Sequence, residues 1–301
     1  METRLNEWLN KLLDTQNVDR VIAVDTDSVY LSLGDLLDKT IRDKNPTKER
    51  IVDFIDKICR EKITPFNQKV SEELAVYLNA HENKLDMKRE AIFDKAIWTA
   101  KKRYIVNIWD NEGVRYKVPE IKVMGLEVKK SSTPSSCRKK LTEAIEIIMN
   151  KSEDDIISFI SEFREEFQTL PPGDIAFPRG VNGISKYMKD PNHTPIHVRG
   201  SILYNKLLSD KHLTKDYPFI KEGEKIKFLY LKLPNPIQSN IIAFHNSIPK
   251  ELDLMDWIDY TTQYDKSFVE PLKIILDSIG WKTEKVNTLA RFLRKGKNDG
   301  K

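Results

Sequence analysis

The sequence predicts an α+β fold, with a small antiparallel sheet and its helices followed by a mixed, mostly helical domain. Three observations carry this. Apolar, β-branched runs broken by turn residues fill the first part, in VIAVDTDSVYLSL (21–33) and KRYIVNIWDNEGVRYKV (102–118), as hairpins require. Helical spacing of apolar residues dominates the long stretches after residue 135. Between the two lies KKSSTPSS (129–136), polar and proline-containing, so the domains are expected at 1–128 and 129–301.

In chain order, Leu5, Trp8, Leu9 and Leu12 follow helical spacing and predict an amphipathic helix ending near Asp19. Val21–Val24 and Val29–Leu33 read as two strands around a D-T-D-S turn. A long helical stretch follows from Lys48 to about Ala80, with Ile51, Phe54, Ile55 and Ile58 on one stripe. Residues 84–98 alternate well enough for a strand, and 102–118 form a hairpin turned at Asn111-Glu112-Gly113. Helices are expected over 135–150, 152–168 and about 254–280. A proline- and glycine-rich passage covers 171–200, and a short strand covers 225–233. Internal repeats are absent.

Composition excludes several classes. Hydrophobic residues make up 40% and charged residues 32%, and no apolar run approaches the ~18 residues a membrane span needs. The N-terminal METRLNEWLNKLLDTQ lacks an apolar signal core. The two cysteines, Cys59 and Cys137, lie too far apart for a zinc ribbon or a disulfide framework and fit a reducing cytoplasm. A net charge of +4 does not by itself announce a nucleic-acid binder, so the placement of the basic residues matters.

The candidate chemistry begins at Asp25 and Asp27. Aspartates two apart in a strand share a face, and adjacent carboxylates resist joint ionisation unless a cation lies between them. Hard oxygen donors of this kind suit Mg²⁺ or Mn²⁺. The bland alternative is a hairpin with a polar tip. Lys101, Lys102, Arg103 and Tyr104 combine cations with an aromatic, as a nucleic-acid groove does; a solvated edge strand carries the same residues. Lys129, Lys130 and Ser131 precede a helix start, where phosphates bind well, or form an ordinary linker. Lys186, Tyr187 and Arg199 are a third basic set, read as lying on loops. Glu90 adds a carboxylate if its strand lies beside the D-T-D-S hairpin.

The order of these motifs, DTDS in a hairpin, then K-K-R-Y, then M-G-L-E-x-x-K-S-S-T-P, resembles the palm and thumb of family B DNA polymerases, in particular those of large tailed phages. The likeness runs from Trp8 to the tail. It implies a partial palm followed by a thumb, and two metal ions (Mg²⁺, with Mn²⁺ as substitute) about 3.5–4 Å apart. By this resemblance Asp27 would bridge the metals, Asp25 would assist and Glu90 would sit in the outer shell. Lys102 and Tyr104 would hold the primer terminus, Lys130 the emerging duplex, and Lys186, Tyr187 and Arg199 the duplex backbone. Leu289, Phe292 and Leu293 occupy a place similar to the sliding-clamp peptide of such enzymes. Val24 stands where the family usually has glycine, and Lys88 where phage relatives usually have an acid. The family's D-x-x-S-L-Y-P-S motif, its K-x-x-x-N-S-x-Y-G fingers helix and its exonuclease motifs have no match. The expectation is therefore the C-terminal part of a split DNA-directed DNA polymerase. A separate N-terminal polypeptide would complete it, and primer–template DNA and deoxynucleoside triphosphates would be its substrates. The alternatives are a catalytically silent duplex-binding or processivity fragment and, from the D-x-D pair alone, a glycosyltransferase.

Overall fold

The structure is a computed structural model and describes residues 1–41, 43, 45–189 and 192–285. It divides into two compact units: residues 1–96 with 100–122, and residues 97–99 with the described residues from Val123 on.

The first unit opens with α1 (Glu2–Leu12), whose Leu5 and Leu9 are fully buried and whose Trp8 stacks on Phe66 at 4.8 Å. The helix stops at Leu12, short of the expected Asp19. Asp14 and Asn17 take φ of 50° and 56°, a left-handed backbone that short polar side chains tolerate and that ends a right-handed helix. Antiparallel β1 (Val21–Asp25) and β2 (Ser28–Leu31) follow, pairing Val24 with Val29 and Asp25 with Ser28. Just before β1 the buried Arg20 side chain bonds Asn10 (3.1 Å), Thr15 (3.2 Å) and Asp35 (2.9 Å). It thereby ties the hairpin to α1 and to α2 (Gly34–Thr40), a helix the sequence reading did not anticipate.

The helix expected from Lys48 is continuous but not uniform. It runs as α3 (Lys48–Ile58), a π-helical turn (Cys59–Ile63) and α4 (Thr64–Tyr77). Pro65, in the first turn of α4, has no N–H and crowds the carbonyl four residues back, and the wider π turn accommodates both defects. The meander β3 (Ala91–Ala100), β4 (Arg103–Asn111) and β5 (Val114–Met124) completes the unit. Its second turn carries Glu112 at φ 51° and Gly113 at φ 93°, as a two-residue hairpin turn needs. The strand expected from residue 84 begins at Ala91. Residues 85, 87 and 89 do alternate with exposed neighbours, so the pattern is real, but no neighbouring strand pairs with it. The fully buried Asp110 carboxylate accepts from Arg89 and the Gly113 amide (3.0 Å) and forms an ion pair with Arg115 at 2.9 Å. Arg89 also reaches Asp56 at 2.7 Å, locking α3 to this turn.

The second unit begins with a 3₁₀ turn (Glu127–Lys129), α5 (Ser135–Asn150) and α6 (Glu153–Phe167), both helices as expected. Ser152 and Asp155 close a capping box on α6. The proline-rich passage holds more structure than its composition predicts: α7 (Pro172–Ile175), β6 (Phe177–Gly180), α8 (Ile184–Lys189) and α9 (Ile196–Asp210). β7 (Lys225–Tyr230) and β8 (Ile241–Phe244) pair antiparallel with β6 in the order β6-β7-β8. α9 lies on β8, where Gly200 lets the backbones approach. α10 (Tyr260–Tyr264), a second π turn (Asp265–Val269) and α11 (Glu270–Ser278) end the described chain. Phe163, Phe167, Tyr264 and Phe268 form an aromatic cluster, with Phe163 and Phe268 at 4.8 Å edge-to-face. Among the described residues no helix is long and apolar enough to cross a membrane.

Candidate active site and nucleic-acid interface

Asp25 ends β1 and pairs with Ser28, so Thr26 and Asp27 form the two-residue turn. Strand alternation, from which the two aspartates were expected to share a face, therefore does not apply to Asp27; the turn sets its direction. Thr26 lies at φ 53°. Val24 sits in regular strand, paired with Val29, so the absence of the family's glycine leaves the ladder intact.

The basic hairpin stands beside this tip. Lys101 and Lys102 form the β3–β4 turn, with Lys102 at φ 61°, and Arg103 and Tyr104 open β4. The Lys102 ammonium lies 3.6 Å from Asp25 Oδ1. The Tyr30 hydroxyl donates to that of Tyr104 at 3.2 Å. Burial pushes the Tyr104 phenol far above its ordinary pKa, and the charges of Glu90 and Asp25 act the same way. Both carboxylates thus lie within electrostatic reach of that phenol. Glu90 precedes β3, with its carboxylate 3.8 Å from Lys122. Lys88 pairs with Asp86 at 2.8 Å. Among the described residues no three His, Cys, Asp or Glu side chains converge as a metal cluster.

The second unit holds the other predicted residues. Lys129 is exposed at the end of the 3₁₀ turn, while Lys130 pairs with Glu127 at 2.7 Å. Ser131 is exposed in the turn that follows. Lys186 and Tyr187 lie on α8, and Arg199 lies on α9, not on the loops expected for them. Proline and glycine around them masked two helices. Lys186 stands 5.3 Å over the Tyr187 ring, and Arg199 donates to Asn240 at 2.8 Å. The amides of Gly183 and Ile184 donate to Glu222, so an internal carboxylate already caps α8. Leu289, Phe292 and Leu293 lie outside the described residues.

Two residues went unnoticed in the sequence. Tyr30 lies two positions past Ser28, on the same strand face, a signal that was legible. Arg179 donates to the Ser132 carbonyl at 2.6 Å and lies over the rings of Phe177 (5.7 Å) and Phe228 (5.9 Å). It braces the Lys129–Thr133 segment, and nothing local in the sequence marks it.

The Asp25–Asp27 hairpin tip thus stands beside a basic, aromatic hairpin. A sequence profile described as Divergent Family B DNA polymerase matches residues 12–162, half of the chain, and the chain belongs to that family. It is 35% identical over 290 residues to the DNA-directed DNA polymerase of Escherichia phage RB69, covering 91% of this chain and 32% of the relative. It is 33% identical over 301 residues to that of Enterobacteria phage T4, covering 95% and 33% respectively. The chain thus spans about a third of the length of the curated relatives it matches.

Proposed function

We propose that this chain is the C-terminal, catalytic part of a DNA-directed DNA polymerase. It would work with a polypeptide that supplies the fingers, the exonuclease and the remaining metal aspartate, and it would act in phage DNA replication in the host cytoplasm. Residues 1–128 would form part of the palm and 129–301 the thumb. The observation that carries the reading is the pairing of the Asp25–Asp27 tip with Lys102 and Tyr104, 3.6 Å away at the Asp25–Lys102 contact, in a chain of this family. Ile22 and Val24 support it, since they face solvent at 48% and 39% exposure on a two-stranded sheet too small to be stable alone.

The donor set fits Mg²⁺, or Mn²⁺ in its place, through hard carboxylate oxygens. Asp25 and Asp27 would hold the two ions. Two carboxylates do not fill octahedral spheres, so substrate phosphates, water and a carboxylate from the companion polypeptide would complete them. Bound there, such ions supply charge stabilisation at the attacking and leaving oxygens. The chain's own side chains bind and orient. Lys102 and Tyr104 would hold the primer end, and the nucleoside triphosphate would meet it at the tip. Lys101, Arg103, Lys129, Lys130, Ser131, Lys186, Tyr187 and Arg199 would contact the duplex. Glu90 would act from the outer shell.

Primer extension tests this. The purified chain alone should incorporate no nucleotide, and adding a polypeptide that carries the fingers, the exonuclease and the further aspartate should restore synthesis. Asp27→Ala should then remove essentially all incorporation and leave duplex binding within about twofold, because carboxylate loss does not weaken phosphate contacts. Restored duplex binding without any synthesis would favour a silent DNA-binding or processivity fragment.

A further inference from the structure

Taking Tyr104 as a primer-side residue, which rests on the proposed function, we propose that Tyr30 is its positioning residue. Tyr30 would hold Tyr104, and with it the primer end, at a fixed place relative to the Asp25–Asp27 tip. Tyr30 lies on β2 opposite Ala23, one strand turn from Ser28. Its ring sits 5.7 Å from that of Tyr104, tilted by 60°, and 6.4 Å from that of Phe93. Its hydroxyl donates to Tyr104 across 74 positions of sequence. Tyr30 therefore touches the basic hairpin at two points, Phe93 on β3 and Tyr104 on β4, while its backbone belongs to the aspartate hairpin.

The Lys102–Asp25 ion pair also ties these hairpins. Its Lys102 side chain is 66% exposed and the separation is 3.6 Å, so water and salt weaken it. It also ceases to be a fixed tie once Asp25 takes up a cation. The aromatic contact persists through such a change. Both tips carry a non-glycine residue at positive φ, Thr26 at 53° and Lys102 at 61°, and backbones of this kind last only where surrounding contacts hold them. A half-buried phenol pair with few rotatable bonds is suited to that task.

The full chain carrying 3-fluorotyrosine at position 104 allows a test free of catalysis. Its ¹⁹F resonance should shift and broaden in Tyr30→Phe, which keeps the ring and loses the hydroxyl, with no change in thermal midpoint. In the assembly with the companion polypeptide, Tyr30→Phe should slow single-turnover incorporation about two- to tenfold, the scale of one lost hydrogen bond. Affinity for primer–template and for nucleotide should hold. Tyr104→Phe should match it, and the double variant should be no slower than either single one. An unchanged ¹⁹F signal, or additive losses in the double variant, would overturn the proposal. An assembly inactive with wild-type Tyr30 would refute the function reading instead, with the ¹⁹F result still deciding whether Tyr30 fixes Tyr104.

Discussion

Thr26 carries a β-branched side chain at φ 53°, a backbone such residues rarely adopt, and it does so between the two aspartates of the tip. Strain of this kind gathers where geometry serves a site; here it turns the chain between Asp25, the last residue of β1 in the ladder, and Asp27 in the turn. Elsewhere burial governs single residues. Cys59, in the π turn, has its thiol pushed up to about 11 by burial, against the pull of the Arg89 charge, which lowers it, and with a smaller push from Asp56. The sign follows from the chemistry. A raised thiol pKa means fewer thiolates at neutral pH, and the thiolate is the nucleophile. The stability this adds is complete below the ordinary value of 9.0 and is lost as pH climbs from there to about 11. Alkylation of Cys59 by iodoacetamide, followed by peptide mass spectrometry, should therefore rise about tenfold per pH unit from 7 to 10. A free cysteine levels off near its pKa of about 8.5, and the same plateau at Cys59 would refute the assignment.

The packing of α9 on β8 depends on one missing methyl. A Cβ on Gly200 would lie 3.1 Å from the Ala243 amide nitrogen and 3.3 Å from the Ile242 carbonyl carbon, backbone atoms of β8 that cannot turn aside as a side chain can. Gly200→Ala should cost about 1–3 kcal/mol through overpacking, despite alanine's better helix propensity. Calorimetry should show the melting midpoint of the variant lowered by about 3–10 °C; an unchanged or higher midpoint would mean the two elements have slack. The same glycine explains what was hard to read. Val198, Ser201, Tyr204 and Leu208 are buried at helical spacing along α9, yet Gly200 and the flanking prolines read as loop. The helices at 135–150 and 152–168 were legible because their apolar spacing is unbroken, and the two hairpin turns because D-T-D-S and N-E-G are strong local signals. The π turns were not, since each depends on how a whole helix absorbs a proline. At the site, Asp25, Asp27, Lys102 and Tyr104 were recognisable by motif. Tyr30 shared a readable strand face with Ser28, but its bond to Tyr104, 74 residues away, lies beyond any periodicity.

Over the whole chain, a net charge of +4 gives little sign of nucleic-acid affinity, and what decides it is which cations are held by carboxylates. Lys102 faces Asp25 and Lys130 faces Glu127, so under the proposed function these two would exchange one partner for another on meeting a phosphate. Lys101, Lys129, Lys186 and Arg199 are exposed, and among the described residues none of them forms an ion pair. Under the proposed function each would neutralise one phosphate and release a condensed counterion, at about 0.9 per phosphate in the slope of log affinity against log salt. Four such contacts give a slope of about −3 to −4 for the chain alone on primer–template duplex. Phosphate contacts carry no sequence information, so two duplexes of unrelated sequence should return the same slope. Replacing Lys129 and Lys186 together with glutamine should make the slope shallower by about 2, without changing the folded state, because both side chains are exposed. Anisotropy titrations from low to moderate salt would measure this. A slope near zero, or one untouched by the double substitution, would mean these cations do not meet the duplex.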